Sequence, residues 1–97
     1  MTSKQRAYLR GLANTIDAIF QIGKSGISDN QIQQLKDALE ARELIKISVL
    51  ETAPANAKIL GEEIAKLTNS TLVQTIGSKI TLYKKRAKNS KIDINNI

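Results

Sequence analysis

Cysteine and histidine are both absent from this chain of 97 residues. Without cysteine there is no disulfide framework, no thiolate nucleophile and no thiolate-held zinc or iron–sulfur centre. Without histidine there is no imidazole base and no histidine-bound metal, so neither metal nor cofactor is expected. Aromatic residues amount to 3%, two Tyr and one Phe, too few for a protein that reads bases by stacking them on aromatic platforms. No apolar run approaches the roughly 18 residues of a membrane span. The opening Met1-Thr2-Ser3-Lys4-Gln5-Arg6 lacks the apolar core of a signal peptide. We therefore expect a soluble, cytoplasmic monomer with no membrane contact.

What is present is a core and an excess of positive charge. A hydrophobic fraction of 41% is enough for one globular domain and too high for a disordered chain. Fifteen Lys and Arg face nine Asp and Glu, for a net charge of +6 and a pI near 9.8. A small basic domain with few catalytic residue types points to an anionic partner rather than to chemistry.

The charges are segregated along the chain. Lys4, Arg6 and Arg10 precede the first acid, Asp17, and Lys84, Lys85, Arg86, Lys88 and Lys91 close the chain against Asp93 alone. Asp29 and six further acids, Asp37, Glu40, Glu43, Glu51, Glu62 and Glu63, lie between. With Lys24 the two basic ends make three basic elements in a short chain, which favour one shared anionic surface over unrelated solubilising charges.

The hydropathy pattern predicts the order α-β-α-β-α-β-β. Thr2 and Gln5 form a capping box, and Leu9, Leu12, Ala13 and Ile16 repeat at the helical period. Residues 18–22, with Phe20 in the core, read as a short buried strand ended by Gly23. Ser28 and Gln31 form a second capping box, with Ile27 placed to staple onto Ile32. Ile32, Leu35, Ala38 and Leu39 supply the buried face of the helix that follows. Residues 44–50 alternate as a strand, with Ile45, Ile47 and Val49 on one side and Lys46 and Ser48 on the other.

Pro54 suits the first turn of a third helix lined by Ala57, Leu60, Ile64 and Leu67 and ended by Thr68-Asn69-Ser70. Residues 71–76 and 79–84 form a hairpin about Gly77-Ser78, of type II′. Tyr8 and Tyr83 are expected at the rim of the core, hydroxyls in water. Right-handed parallel crossovers then give an α/β fold, a mixed four-stranded sheet with an antiparallel edge hairpin and helices on at least one face.

The segment Gly23-Lys24-Ser25-Gly26 joins the first strand to the second helix. Two glycines allow a tight turn and close approach to a ligand. The helix start brings unpaired N–H groups nearby; Lys24 adds a cation and Ser25 a hydroxyl. Together they could hold a phosphate of a nucleic-acid backbone. The spacing matches neither a P-loop nor a dinucleotide fingerprint. Taken alone, the four residues are also explained as a strand end, a turn and a solvated lysine. Glu62 and Glu63, about 100° apart on a helix and lacking a base, are a solvated face rather than an acid pair.

Four blocks carry a resemblance: residues 3–13 (SKQRAYLRGLA), 22–28 (IGKSGIS), 43–47 (ELIKI) and 74–84 (QTIGSKITLYK). In this order and spacing, over residues 2–86, the chain resembles the bacterial stand-alone CRM domain (chloroplast RNA splicing and ribosome maturation), the YhbY-like family. The resemblance implies a fold similar to the C-terminal domain of translation initiation factor three. It further implies an RNA-binding, non-catalytic module whose Gly23, Lys24, Ser25 and Gly26 loop contacts RNA as the similar loop of KH domains does. In KH domains that loop joins two helices, whereas here it joins a strand to a helix, so backbone contact carries over and a base-reading groove does not.

Bacterial members are linked to large-subunit precursors, so structured ribosomal RNA is the implied partner and ribosome assembly the implied role. Lys4, Arg6, Arg10, Lys84, Lys85, Arg86 and Lys88 would widen the electrostatic footprint. Residues 1–86 form the expected domain and 87–97 a basic, flexible tail. The competing reading is a protein-interaction module that binds ribosomal proteins or a translation factor through its sheet or acidic helical face. Charge alone does not separate RNA from DNA.

Overall fold

In the computed structural model, residues 1–85 are described. Three helices and four strands follow the expected order: α1 (Ser3–Ala13), β1 (Phe20–Ile22), α2 (Asp29–Arg42), β2 (Leu44–Val49), α3 (Ala57–Thr68), β3 (Thr71–Ile76) and β4 (Lys79–Tyr83). The strands form one sheet in the order β1-β2-β4-β3. β1 runs parallel to β2, while β4 is antiparallel to both β2 and β3. The helix signals act as read: Thr2 with Gln5 and Ser28 with Gln31 each form a complete capping box. The hairpin turns at Gly77, φ 55°, with Ser78 outside the positive-φ region, as a type II′ turn requires.

Helices cover both faces of the sheet. On one side Leu35 and Leu39 of α2 and Leu60, Ile64 and Ala65 of α3 pack on Ile22, Ile45, Ile47, Val49, Ile80 and Leu82. On the other, Leu9 and Ala13 of α1 pack on Leu44, Val73 and Tyr83, with Leu12 and Ile16 at the margin. Successive strand residues point to opposite faces, so the central strand β2 feeds both cores and is buried almost throughout.

Several local expectations are corrected. Phe20 is only half-buried, because β1 is a three-residue strand at the sheet edge. Pro54 lies ahead of α3, whose N-cap is Asn56. Leu67 is 47% exposed while Thr68 is buried, since at 100° per residue Leu67 falls roughly 90° from the centre of the buried stripe. Tyr83 is buried, not at a wet rim, because β4 is an interior strand lying under α1. Glu43, one of the acids of the middle of the chain, is fully buried at φ 65° where α2 turns into β2.

Candidate nucleic-acid interface

The 23–26 loop is closed locally and braced from outside. The Gly26 N–H donates to the Gly23 carbonyl at 3.0 Å, and the Leu50 N–H holds the Ile22 carbonyl at 2.9 Å. Gly26 has φ +69° and is buried, and a Cβ there would stand 3.2 Å from Pro54 Cγ. Backbone conformation and crowding therefore both demand glycine at this position. Lys24 and Ser25 are left exposed at the tip.

Three residues after Gly23–Gly26 come to an end, α2 is under way, capped by Ser28 Oγ, which accepts from the Gln31 N–H at 3.2 Å. Asp29 in the first turn already complements the positive end of the helix dipole. The attraction of this loop for an anion thus rests on Lys24 more than on the helix end.

The remaining expected residues are spread over the molecule. Lys4 and Arg10 are exposed on α1, a helix without a single acid. Arg6 is turned inward: its Nη1 donates to the carbonyls of Leu72 at 2.8 Å and Val73 at 2.5 Å, at the irregularity in β3 between Leu72 and Gln74. It fastens α1 to the sheet edge. The Lys84 Nζ reaches the Thr68 carbonyl at 3.4 Å, at the C-terminal end of α3, where a cation is favoured. Lys85 is exposed. Arg86 and Lys88, and the expected tail, lie outside the described residues.

Topology sets these groups apart. The loop follows the C-terminal end of β1, and β4 is antiparallel to β2, so Lys84 and Lys85 emerge at the other end of the sheet. At about 3.4 Å per residue, the length of β4 separates them from the loop end by roughly 17 Å. Lys85 and Lys84 lie instead beside Met1 and Gln5, around a hollow at the start of α1.

Two lysines outside the expected set occupy the space between. α1 covers the cross-strand row Thr71, Tyr83 and Leu44. The next row toward the loop is Gln74, Thr81 and Lys46, and the one beyond it is Ile76, Lys79, Ser48 and Gln21. Lys46 is half-buried and Lys79 exposed. The alternation of Lys46 and Ser48 with isoleucines shows in the sequence which face they take. It does not show that Lys79 is left exposed there while Ser48 and Thr81 are buried.

A family model, the CRS1 / YhbY (CRM) domain, matches residues 1–84. The chain is 46% identical over 94 residues to Probable RNA-binding protein YqeI of Bacillus subtilis, covering 97% of this chain and 98% of that one. An RNA-binding protein of Haemophilus influenzae is 29% identical over 84 residues, 87% of this chain and 85% of its own length. The solution structure of the hypothetical protein SAV1595 from Staphylococcus aureus superposes with a TM-score of 0.80 at 49% identity, covering 96% of this chain and 97% of that one.

Proposed function

The chain belongs to the CRS1 / YhbY (CRM) domain family, and from that premise we propose that it is a non-catalytic RNA-binding protein of the cytoplasm. It docks as a monomer on structured ribosomal RNA and assists assembly of the large ribosomal subunit. The observation that carries the reading is the 23–26 loop: a braced two-glycine turn that presents Lys24 to solvent at a strand-to-helix junction. Relatives named as RNA-binding proteins support RNA as the partner.

Lys24 and the loop backbone grip phosphate. Lys4 and Arg10 extend the contact along α1, and Lys84 and Lys85, which Arg86 and Lys88 follow in the sequence, form a second basic end rather than a continuation of the loop. Arg6 adds charge to this side while holding α1 in place. An RNA that engages both ends must span the length of the sheet, which suits a folded RNA better than a short single strand.

The test is a titration of structured ribosomal RNA at several salt concentrations, with duplex DNA as competitor. Each neutralised phosphate releases counterions, so affinity falls steeply with salt. The Lys24→Ala variant binds several-fold more weakly with an unchanged melting temperature. A flat salt response, no binding at low salt, or a Lys24→Ala variant equal to wild type overturns the reading.

A further inference from the structure

We propose that the part of the sheet left uncovered by α1 is a docking surface for the RNA sugar–phosphate backbone, continuous with the 23–26 loop. The inference rests on the RNA-binding reading above and names the surface over which the bound strand runs.

Three observations carry it. First, the row nearest the loop begins beside it: Gln21, exposed, stands two residues before Gly23 and pairs with Ser48, which pairs in turn with the exposed Lys79. Second, the charge on this row and the next is of one sign. Lys46 and Lys79 are diagonal neighbours on adjacent antiparallel strands, a relation that places them about 7–8 Å apart. The Lys79 Nζ donates to Ser48 Oγ at 3.1 Å and the Lys46 Nζ to the Ile16 carbonyl at 3.2 Å. Both acceptors are neutral, so two ammonium groups share one polar face with no carboxylate on it. A phosphate lying between the two ammonium groups would be attracted by both.

Third, the face carries no aromatic side chain: its exposed members are Gln21, Lys79 and Ile76, with Lys46 and Gln74 half-buried beside them and Ser48 and Thr81 buried beneath. It has no platform on which bases stack, while lysines and side-chain amides suit phosphate and ribose oxygens. The acids on helices, Asp29, Asp37, Glu40, Glu62 and Glu63, belong to α2 and α3 on the opposite side.

The experiment compares wild type, Lys24→Ala, Lys79→Gln and Lys46→Gln/Lys79→Gln in binding a ribosomal RNA hairpin transcript across about 50–200 mM salt. Removing one phosphate contact lowers the log–log salt slope by about one. Lys79→Gln is expected to do so, and the double variant to lower it by about two with a loss of affinity on the order of tenfold or more. Lys79→Arg retains the wild-type slope, and melting temperatures are measured for every variant. Because Lys46 also holds the Ile16 carbonyl, Lys79→Gln, at an exposed site, decides the matter if the double variant unfolds.

Binding weakened by Lys24→Ala but unchanged in slope and affinity by Lys79→Gln overturns the sheet-face surface and leaves RNA binding intact. No binding by wild type at low salt overturns RNA binding itself, and the surface with it.

Discussion

Single residues in this molecule divide into those that hold the fold and those left free to bind, and charge alone does not sort them. Arg6 and Arg10 stand four positions apart on α1, yet Arg6 is half-buried on two β3 carbonyls and Arg10 is in solvent. Arg6→Ala leaves those carbonyls without their donor and is expected to cost about 1–3 kcal/mol, measured by denaturant unfolding. Lys4→Ala and Arg10→Ala should change stability by less than about 0.5 kcal/mol, and their effect should appear in RNA affinity.

Gly26 belongs to the first class although it lies in the loop. Gly26→Ala places a side chain at φ +69° and 3.2 Å from Pro54, and a loss of roughly 1–2 kcal/mol is expected. Lys24, its exposed neighbour two residues earlier, tolerates replacement.

At the scale of elements, the ends of helices and strands decide where the loop sits. Ser28 both caps α2 and terminates the loop segment, so Ser28→Ala should remove about 1 kcal/mol. In a domain of this size that lowers the melting temperature by about 4–8 °C. Gly61 sets how closely α3 lies on the hairpin, since a Cβ there would meet Leu72 at 3.1 Å and Ile80 at 3.3 Å. Gly61→Leu should destabilise through overpacking by roughly 1–3 kcal/mol, again read by unfolding, with little effect on affinity for RNA in the protein that remains folded.

Legibility also varied by element. Helix starts were readable because a capping box is a local exchange of hydrogen bonds within four residues. The start of α3 was misplaced because Pro54 is compatible with a first turn, whereas its role here is to stand against Gly26 across a loop. The burial of Tyr83 and the half-exposure of Phe20 depend on which strand is interior and which is an edge, a property of strand order rather than of either segment.

Considered whole, the molecule separates its charge by face. α1 carries three bases and no acid, whereas α2 and α3 together carry five acids and four bases. The acidic helices cover one side of the sheet, and α1 with Lys46 and Lys79 occupies the other. Reversing Glu62 and Glu63 to Lys is therefore expected to change RNA affinity by less than about twofold at physiological salt, where charges farther apart than about 8 Å are largely screened. Loss of a protein partner on that reversal, with RNA binding intact, would assign the acidic face to protein contact.

The amino-acid sequence by itself determined the order of elements, both capping boxes, the hairpin turn, the two-glycine loop and the excess of positive charge. Each of these depends on neighbours within a few positions, where propensity and hydrogen-bonding chemistry act directly. Tertiary structure alone decided that Lys84 and Lys85 stand at the far end from the loop, that Arg6 fastens α1, and that Lys79 is exposed on the face it shares with the half-buried Lys46. Those outcomes follow from strand order and from how far one helix reaches across a sheet, and both are fixed only when distant segments pack together.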